Sequence, residues 1–66
     1  MRRSKSQIKL GILLIEDDAK LRQSVSRLLR HRGLKVSIAR SGAQGLDLLK
    51  KSAFNVVLCD LNIKDI

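Results

Sequence analysis

The chain has 66 residues, enough for one small domain, and its single cysteine, Cys59, excludes an internal disulfide. A net charge of +8 suggests nucleic acid as a binding partner. Phe54 is the only aromatic residue, however, so the chain lacks the set of aromatic side chains on which proteins stack the bases of single-stranded nucleic acid. No apolar run approaches the ~20 residues needed to cross a bilayer, so we expect no membrane insertion and a cytoplasmic location.

The first predicted elements are a leader, a strand and a helix. Residues 1–7 are polar and basic and are predicted to be disordered. Ile8 to Ile15 is predicted to be a strand buried on both faces. Asp18 can cap a helix from Ala19 to Arg32, which Gly33 ends. Apolar residues recurring at helical spacing predict its inward stripe: Leu21, Val25, Leu28 and Leu29.

Two more strands and a second helix follow. Leu34 to Ala39 alternates in polarity and predicts an edge strand with one wetter face. Ser41-Gly42 is predicted to be a turn. Ala43 to Ser52 predicts a short helix, weakened by Gly45, whose inward residues are Ala43, Leu46 and Leu49. Asn55 to Asp60 is the third strand, in which Cys59 is predicted to face the core. Short β-α-β-α-β connections predict an α/β fold with parallel strands and right-handed crossovers.

Acidic residues follow the first and third strands. Glu16 and Asp17 come directly after Ile15, and Asp60 comes directly after Cys59. Ligands bind at the carboxyl edge of open parallel sheets, so these acids are expected to converge on one negative pocket. Carboxylate oxygens suit Mg²⁺, so Asp17 and Asp60 are predicted to bind this cation weakly, and aspartate is also an established covalent phosphoryl acceptor. On spacing alone, a solvated helix start and an ordinary strand-end acid explain the pattern equally well.

A wider pattern resembles a known family. Ile12-Leu-Leu-Ile-Glu-Asp-Asp18, a basic amphipathic helix and Asn55-Val-Val-Leu-Cys-Asp-Leu-Asn62 together resemble the receiver domain of bacterial two-component response regulators. The resemblance covers about the first half of a receiver. It implies a truncated flavodoxin-like (βα)2β parallel sheet with strand order 2-1-3 over residues 8–66.

The resemblance also implies roles for individual residues. Asp60 matches the phosphoacceptor, Asp17 the acid that binds Mg²⁺ directly, and Glu16 the neighbour that holds the metal through water. Asn62 matches the position whose backbone carbonyl is a metal ligand. The implied function is a phosphoacceptor receiver module of a two-component phosphorelay response regulator, and not a turnover enzyme. The implied partner is a histidine kinase or phosphotransfer protein, docked on the first helix.

Departures from the family pattern limit this function. Ile63-Lys64 stands where the family has Met-Pro, and Lys64 either points to water or partly replaces the metal charge. The family's later Ser or Thr and Lys have no counterpart, which predicts a truncated form with impaired signalling. We expect Asp60 to accept phosphate from acetyl phosphate poorly or not at all. Nucleic acid would be bound only through an effector domain that the sequence lacks.

Alternative functions stay open at this point. One is a small basic nucleic-acid-binding protein. Another is a Toprim-like metal-dependent domain, although that family has an acid where Asn62 stands. The apolar third strand is expected to be an open edge. A marginally folded chain would then self-associate through it, and more strongly as salt screens the net charge.

Overall fold

The computed structural model describes residues 11–60, and all five predicted elements are present in that range. Their ends differ from the predicted ones by at most one residue wherever both fall in the range. The predicted leader, the start of the first strand at Ile8, and residues 61–66 with Asn62, Ile63 and Lys64 lie outside the described residues. The elements are β1 (Gly11–Ile15), α1 (Ala19–His31), β2 (Lys35–Ala39), α2 (Gly42–Lys51) and β3 (Val56–Cys59).

The three strands form one parallel sheet with the order β2-β1-β3. Ile12 pairs with Val36 of β2 and Val56 of β3, and the two ladders continue in step to Ile15. The predicted fold class and strand order are therefore confirmed. Within residues 11–60, β3 has a strand neighbour on one side only, and all four of its residues are exposed, as predicted for an open edge.

The core is centred on β1. Four of the six buried hydrophobic residues of the described range belong to this strand, which confirms that it is buried on both faces. Leu13 and Ile15 cluster with Ala39 of β2 and pack against Leu48 of α2 and Phe54. Ile12 and Leu14 point to the opposite face of the sheet, because side chains alternate along a strand, and both are also buried. The other helix, α1, contacts both β1 and β2.

The predicted inward stripe of α1 is wrong in part. Leu21 and Leu28 are 47% and 54% exposed, and the fully buried positions of the helix are Arg22 and Ser26. The buried guanidinium group of Arg22 has a hydrogen-bond partner, because its Nη1 donates to the carbonyl oxygen of Glu16 over 2.9 Å. The sheet of the described residues is three strands wide. The helix α1 packs mainly toward β2, and part of its apolar stripe is left in solvent.

The predicted inward face of α2 is also wrong. Ala43, Leu46 and Leu49 are exposed, whereas Gly42 and Gly45 are buried. The reason is a close approach of the helix to β1: a Cβ built on Gly45 would meet the Ile15 side chain, 2.9 Å from its Cγ1. Gly45 was predicted only to weaken the helix, but the absence of its side chain is what lets α2 pack on the sheet.

Two strand predictions also need correction. Cys59 was predicted to face the core, but it is exposed, because β3 is an edge strand whose side chains are uncovered on both faces. In β2, Val36 is buried as predicted, while Ile38 is exposed although it shares the same face. On that face burial decreases from Val36 to Ile38, whereas Ala39, on the opposite face, is fully buried in the core.

The helix ends follow the local sequence signals. The Asp18 carboxylate accepts hydrogen bonds from the backbone N–H groups of Lys20 and Leu21, which confirms it as the N-cap of α1. Gly33 follows the end of the helix with a φ of 83°, a conformation that favours glycine. Ser41 was predicted to belong to a turn, but it caps α2 by accepting from the N–H of Gln44.

In the part of the chain that the structure describes, neither helix is long and apolar enough to cross a bilayer.

We expect Gly45→Ala to destabilise the fold. The new methyl group must displace the buried Ile15 side chain, and overpacking of this kind typically costs about 1–3 kcal/mol. The gain in helix propensity is at most about 1 kcal/mol, so the net loss should be about 1 kcal/mol. Urea unfolding followed by circular dichroism measures it. Lys50→Ala, at an exposed position of the same helix, should change stability by less than about 0.5 kcal/mol. A more stable Gly45→Ala chain would contradict the close packing.

Candidate functional site

The sheet brings the predicted acidic residues together. The last register pair of β1 and β3 is Ile15 with Cys59, so Glu16 and Asp60 are the next residues along two neighbouring parallel strands. One carboxylate oxygen from each of Glu16, Asp17 and Asp60 lies within 4.8 Å of the others. These three residues are called the acidic cluster below. The convergence expected from the sequence is therefore present at the carboxyl edge of the sheet.

Glu16 is held through both its backbone and its side chain. Its N–H donates to the carbonyl oxygen of Ala39 in β2 over 3.0 Å. Its own carbonyl oxygen accepts from Arg22, and its Oε2 accepts from the N–H of Asp18 over 3.1 Å. The backbone and the side chain are thus both held, which fixes the position of this carboxylate relative to β1 and α1.

The three carboxylates differ in burial. Glu16 is 5% exposed, Asp60 is partly buried and Asp17 is exposed. No lysine or arginine of residues 11–60 forms an ion pair with Glu16 or Asp17; the pair in that range joins Lys51 to Asp47, on α2. The backbone N–H of Asp60 points to the Ile15 carbonyl oxygen over a long 3.4 Å, so the β1–β3 ladder ends at the acidic cluster.

The donor set fits a hard divalent cation. The donors are oxygen atoms of three acids, close enough to share one ion, and one of them, Glu16, is buried without an ion pair to its carboxylate from the described residues. Burying a carboxylate without a counter-charge is costly, and a cation bound among the three removes that cost. Mg²⁺ prefers oxygen ligands and commonly takes one or two carboxylates together with water. The exposed Asp17 leaves the cluster open to solvent on one side, which such a coordination shell requires.

One contributor to this site was missed in the sequence. Arg22 supports the Glu16 carbonyl from the first turns of α1, six residues further along the chain. The helical pattern placed the apolar residues inward, and Arg22 was expected on the solvent face because it is charged. The available signal was its position one turn after the Asp18 cap, where a long side chain can reach back to the end of β1.

Comparisons with known proteins agree with this geometry. The family model described as the response regulator receiver domain matches residues 12–66. The transcriptional activator protein PfeR of Pseudomonas aeruginosa is 38% identical over 50 residues, which are 76% of this chain and 16% of that protein. The cell cycle response regulator CtrA of Brucella ovis is 36% identical over 56 residues, or 85% of this chain and 24% of that protein.

A solved structure is similar as well. The chemotaxis response regulator CheY4 of Vibrio cholerae superposes with a TM-score of 0.85 at 29% sequence identity. The superposition covers 89% of this chain and 49% of that one, and it agrees with the flavodoxin-like sheet expected from the sequence. The chain thus spans less than a quarter of these two curated relatives and about half of the solved structure.

Proposed function

The chain belongs to the response regulator receiver family, and from this membership we propose that Asp60 is its phosphoacceptor and that Asp17 and Glu16 hold Mg²⁺ beside it. The family resemblance expected from the sequence is confirmed, and receiver domains are signalling modules. The observation that carries the residue assignment is the acidic cluster, in which an aspartate after β3 lies within reach of two acids after β1. Neither the nucleic-acid-binding nor the Toprim-like alternative accounts for that match over residues 12–66.

The proposed step is the transfer of a phosphoryl group to Asp60. A carboxylate oxygen of Asp60 forms a bond to phosphorus, and the bond from phosphorus to the donor's imidazole nitrogen breaks, leaving the electron pair on that nitrogen. Bound Mg²⁺ would offset the negative charge that the phosphoryl oxygens bring. Glu16, held by three hydrogen bonds, keeps its carboxylate in place, and the partly buried Asp60 presents its carboxylate at the strand end. The backbone carbonyl of Asn62 remains the predicted additional ligand, outside the described residues.

We extend the proposal to a protein partner, a histidine kinase or phosphotransfer protein that docks on α1. The helix begins at Ala19, two residues after Asp17, so a partner bound along it lies next to the acidic cluster. Leu21 and Leu28 are exposed and offer apolar contact beside the basic residues of the helix. A cytoplasmic location and the absence of catalytic turnover remain predictions.

Mg²⁺ should bind weakly to the acidic cluster. We expect Mg²⁺ to shift backbone amide resonances after β1 and β3, and Asp17→Ala to weaken this response at least about 10-fold because a direct ligand is lost. Asp47→Ala is the matched control, since Asp47 is an exposed acid on α2, paired with Lys51. A titration by nuclear magnetic resonance measures both variants. An unchanged response in Asp17→Ala would show that the cation is held elsewhere.

Asp60 should be the residue that acetyl phosphate labels. With Mg²⁺ present we expect slow labelling of the chain and none of Asp60→Asn, read as the gain of one phosphoryl group by intact mass. Asp17→Asn should slow labelling about 10²-fold, the size typical for losing one electrostatic contributor. Asp47→Asn should leave the rate unchanged. Labelling of Asp60→Asn at the parent rate would contradict the assignment, and rapid stoichiometric labelling of the parent chain would contradict the predicted impairment.

The exposed edge of β3 is proposed as a surface for self-association. On the side away from β1 its backbone has no strand partner within residues 11–60, so this edge and its apolar side chains can add a strand from another chain. The high net charge opposes this, so association should increase from low to physiological salt. Sedimentation measures the change. Val57→Lys should suppress association, whereas Leu46→Lys, at an exposed apolar position of α2, should not. A monomer that unfolds cooperatively at both salt concentrations would overturn the proposal.

A further inference from the structure

A groove of about 440 Å³ runs along one side of α1. Six of its seven lining residues come from α1, and the seventh, Ile38, comes from β2, the other edge strand of the sheet. It is called the basic groove below, and the proposed phosphoryl transfer to Asp60 does not use it. The lining residues of α1 recur at intervals of three and four, so they form one continuous helix face.

The charge of the basic groove is positive and uncompensated within the described residues. Arg22, Arg27 and Arg30 all line it, and His31 stands at its end. The sequence of α1 contains no acidic residue over its 13 positions. None of the three arginines forms an ion pair with a carboxylate of residues 11–60. Three guanidinium groups therefore share one concave surface without a counter-charge from that part of the chain.

Two of these arginines are held in place by backbone carbonyls. Arg22 is only 7% exposed, and its Nη1 donates to the Glu16 carbonyl oxygen over 2.9 Å. Arg30 donates from Nη2 to the carbonyl oxygen of Val36 over 3.2 Å. A carbonyl oxygen orients a guanidinium but does not neutralise it, and a buried charge is normally paired. Since a guanidinium has five N–H donors, each arginine keeps donors for a further acceptor.

From this arrangement we propose that the basic groove binds a phosphate-type oxyanion. A carboxylate offers one charge and two oxygen atoms, which a single arginine satisfies. Phosphate offers more charge and three or four oxygen atoms, and matches several converging guanidinium groups together with the hydroxyl group of Ser26, which also lines the groove. The same chemistry is present in a free phosphate compound and in the phosphodiester backbone of nucleic acid. The proposal is independent of phosphoryl transfer at Asp60.

The test is a titration of the full 66-residue chain with inorganic phosphate, without Mg²⁺ and at constant ionic strength. We expect saturable amide shifts between Arg22 and His31 and at Ile38. Arg27→Gln combined with Arg30→Gln should weaken binding at least about 10-fold, since each removes a charge-assisted hydrogen bond. Arg27→Gln alone, at an exposed position, should weaken it measurably and guards against loss of folding in the double variant. Arg32→Gln, at the C-cap outside the groove, is the matched control and should change the affinity less than about 2-fold.

Further ligands distinguish the source of the phosphate. If pyrophosphate binds more tightly than a short DNA duplex, the groove binds small phosphate compounds. If the duplex binds more tightly, and the double variant loses affinity for it to the same extent, the ligand is a phosphodiester backbone. Either result supports the proposal. Shifts spread evenly over exposed lysines such as Lys50 and Lys51, an equal loss in Arg32→Gln, or tighter binding of a glutamate-rich peptide than of any phosphate ligand would overturn it.

Discussion

The position of Glu16 is the constraint on which the rest of this structure depends. This residue directly follows the central strand, begins the turn into α1 and is the first acid of the acidic cluster. Its N–H donates a hydrogen bond to β2, and its carbonyl oxygen accepts one from Arg22 of α1. Its carboxylate accepts a third from the N–H of Asp18. Because these three contacts reach a neighbouring strand, a helix and a helix cap, the strand end cannot move without disturbing all of them. The geometry of the acidic cluster is thereby tied to the geometry of the fold.

The same residue separates two regions of opposite charge. The carboxylates after β1 and β3 gather at one edge of the sheet, while the arginines of α1 line the side of the helix next to β2. Arg22 is common to both, since it lines the basic groove and donates to the Glu16 carbonyl. Opposite charges placed so close would cancel if they paired, but within residues 11–60 no ion pair joins them. The side chains of each region therefore favour ligands of opposite sign.

Much of the fold follows from local signals in the sequence. The strand β1 is recognisable because Ile12 to Ile15 is wholly apolar, and the ends of α1 because Asp18 and Gly33 are typical cap and stop residues. The acidic cluster is predictable because parallel strands bring their carboxyl ends to one edge. These features depend on a few neighbouring residues and on a topology that short connections force, so an isolated sequence contains the necessary information.

The helix faces were not predictable in the same way. Periodicity identifies the apolar side of α1 but not how wide the sheet beneath it is, and a sheet of three strands leaves Leu21 and Leu28 exposed. The burial of Arg22 depends on a carbonyl acceptor that only the tertiary structure supplies. For α2, side-chain hydrophobicity predicted that Leu46 faces the sheet. The short distance between helix and strand instead requires Gly45 at the contact. That close approach also couples the sizes of the side chains at positions 45 and 15, because both occupy one small volume. We expect a larger side chain at position 45 to cost less stability in a relative whose residue at position 15 is smaller.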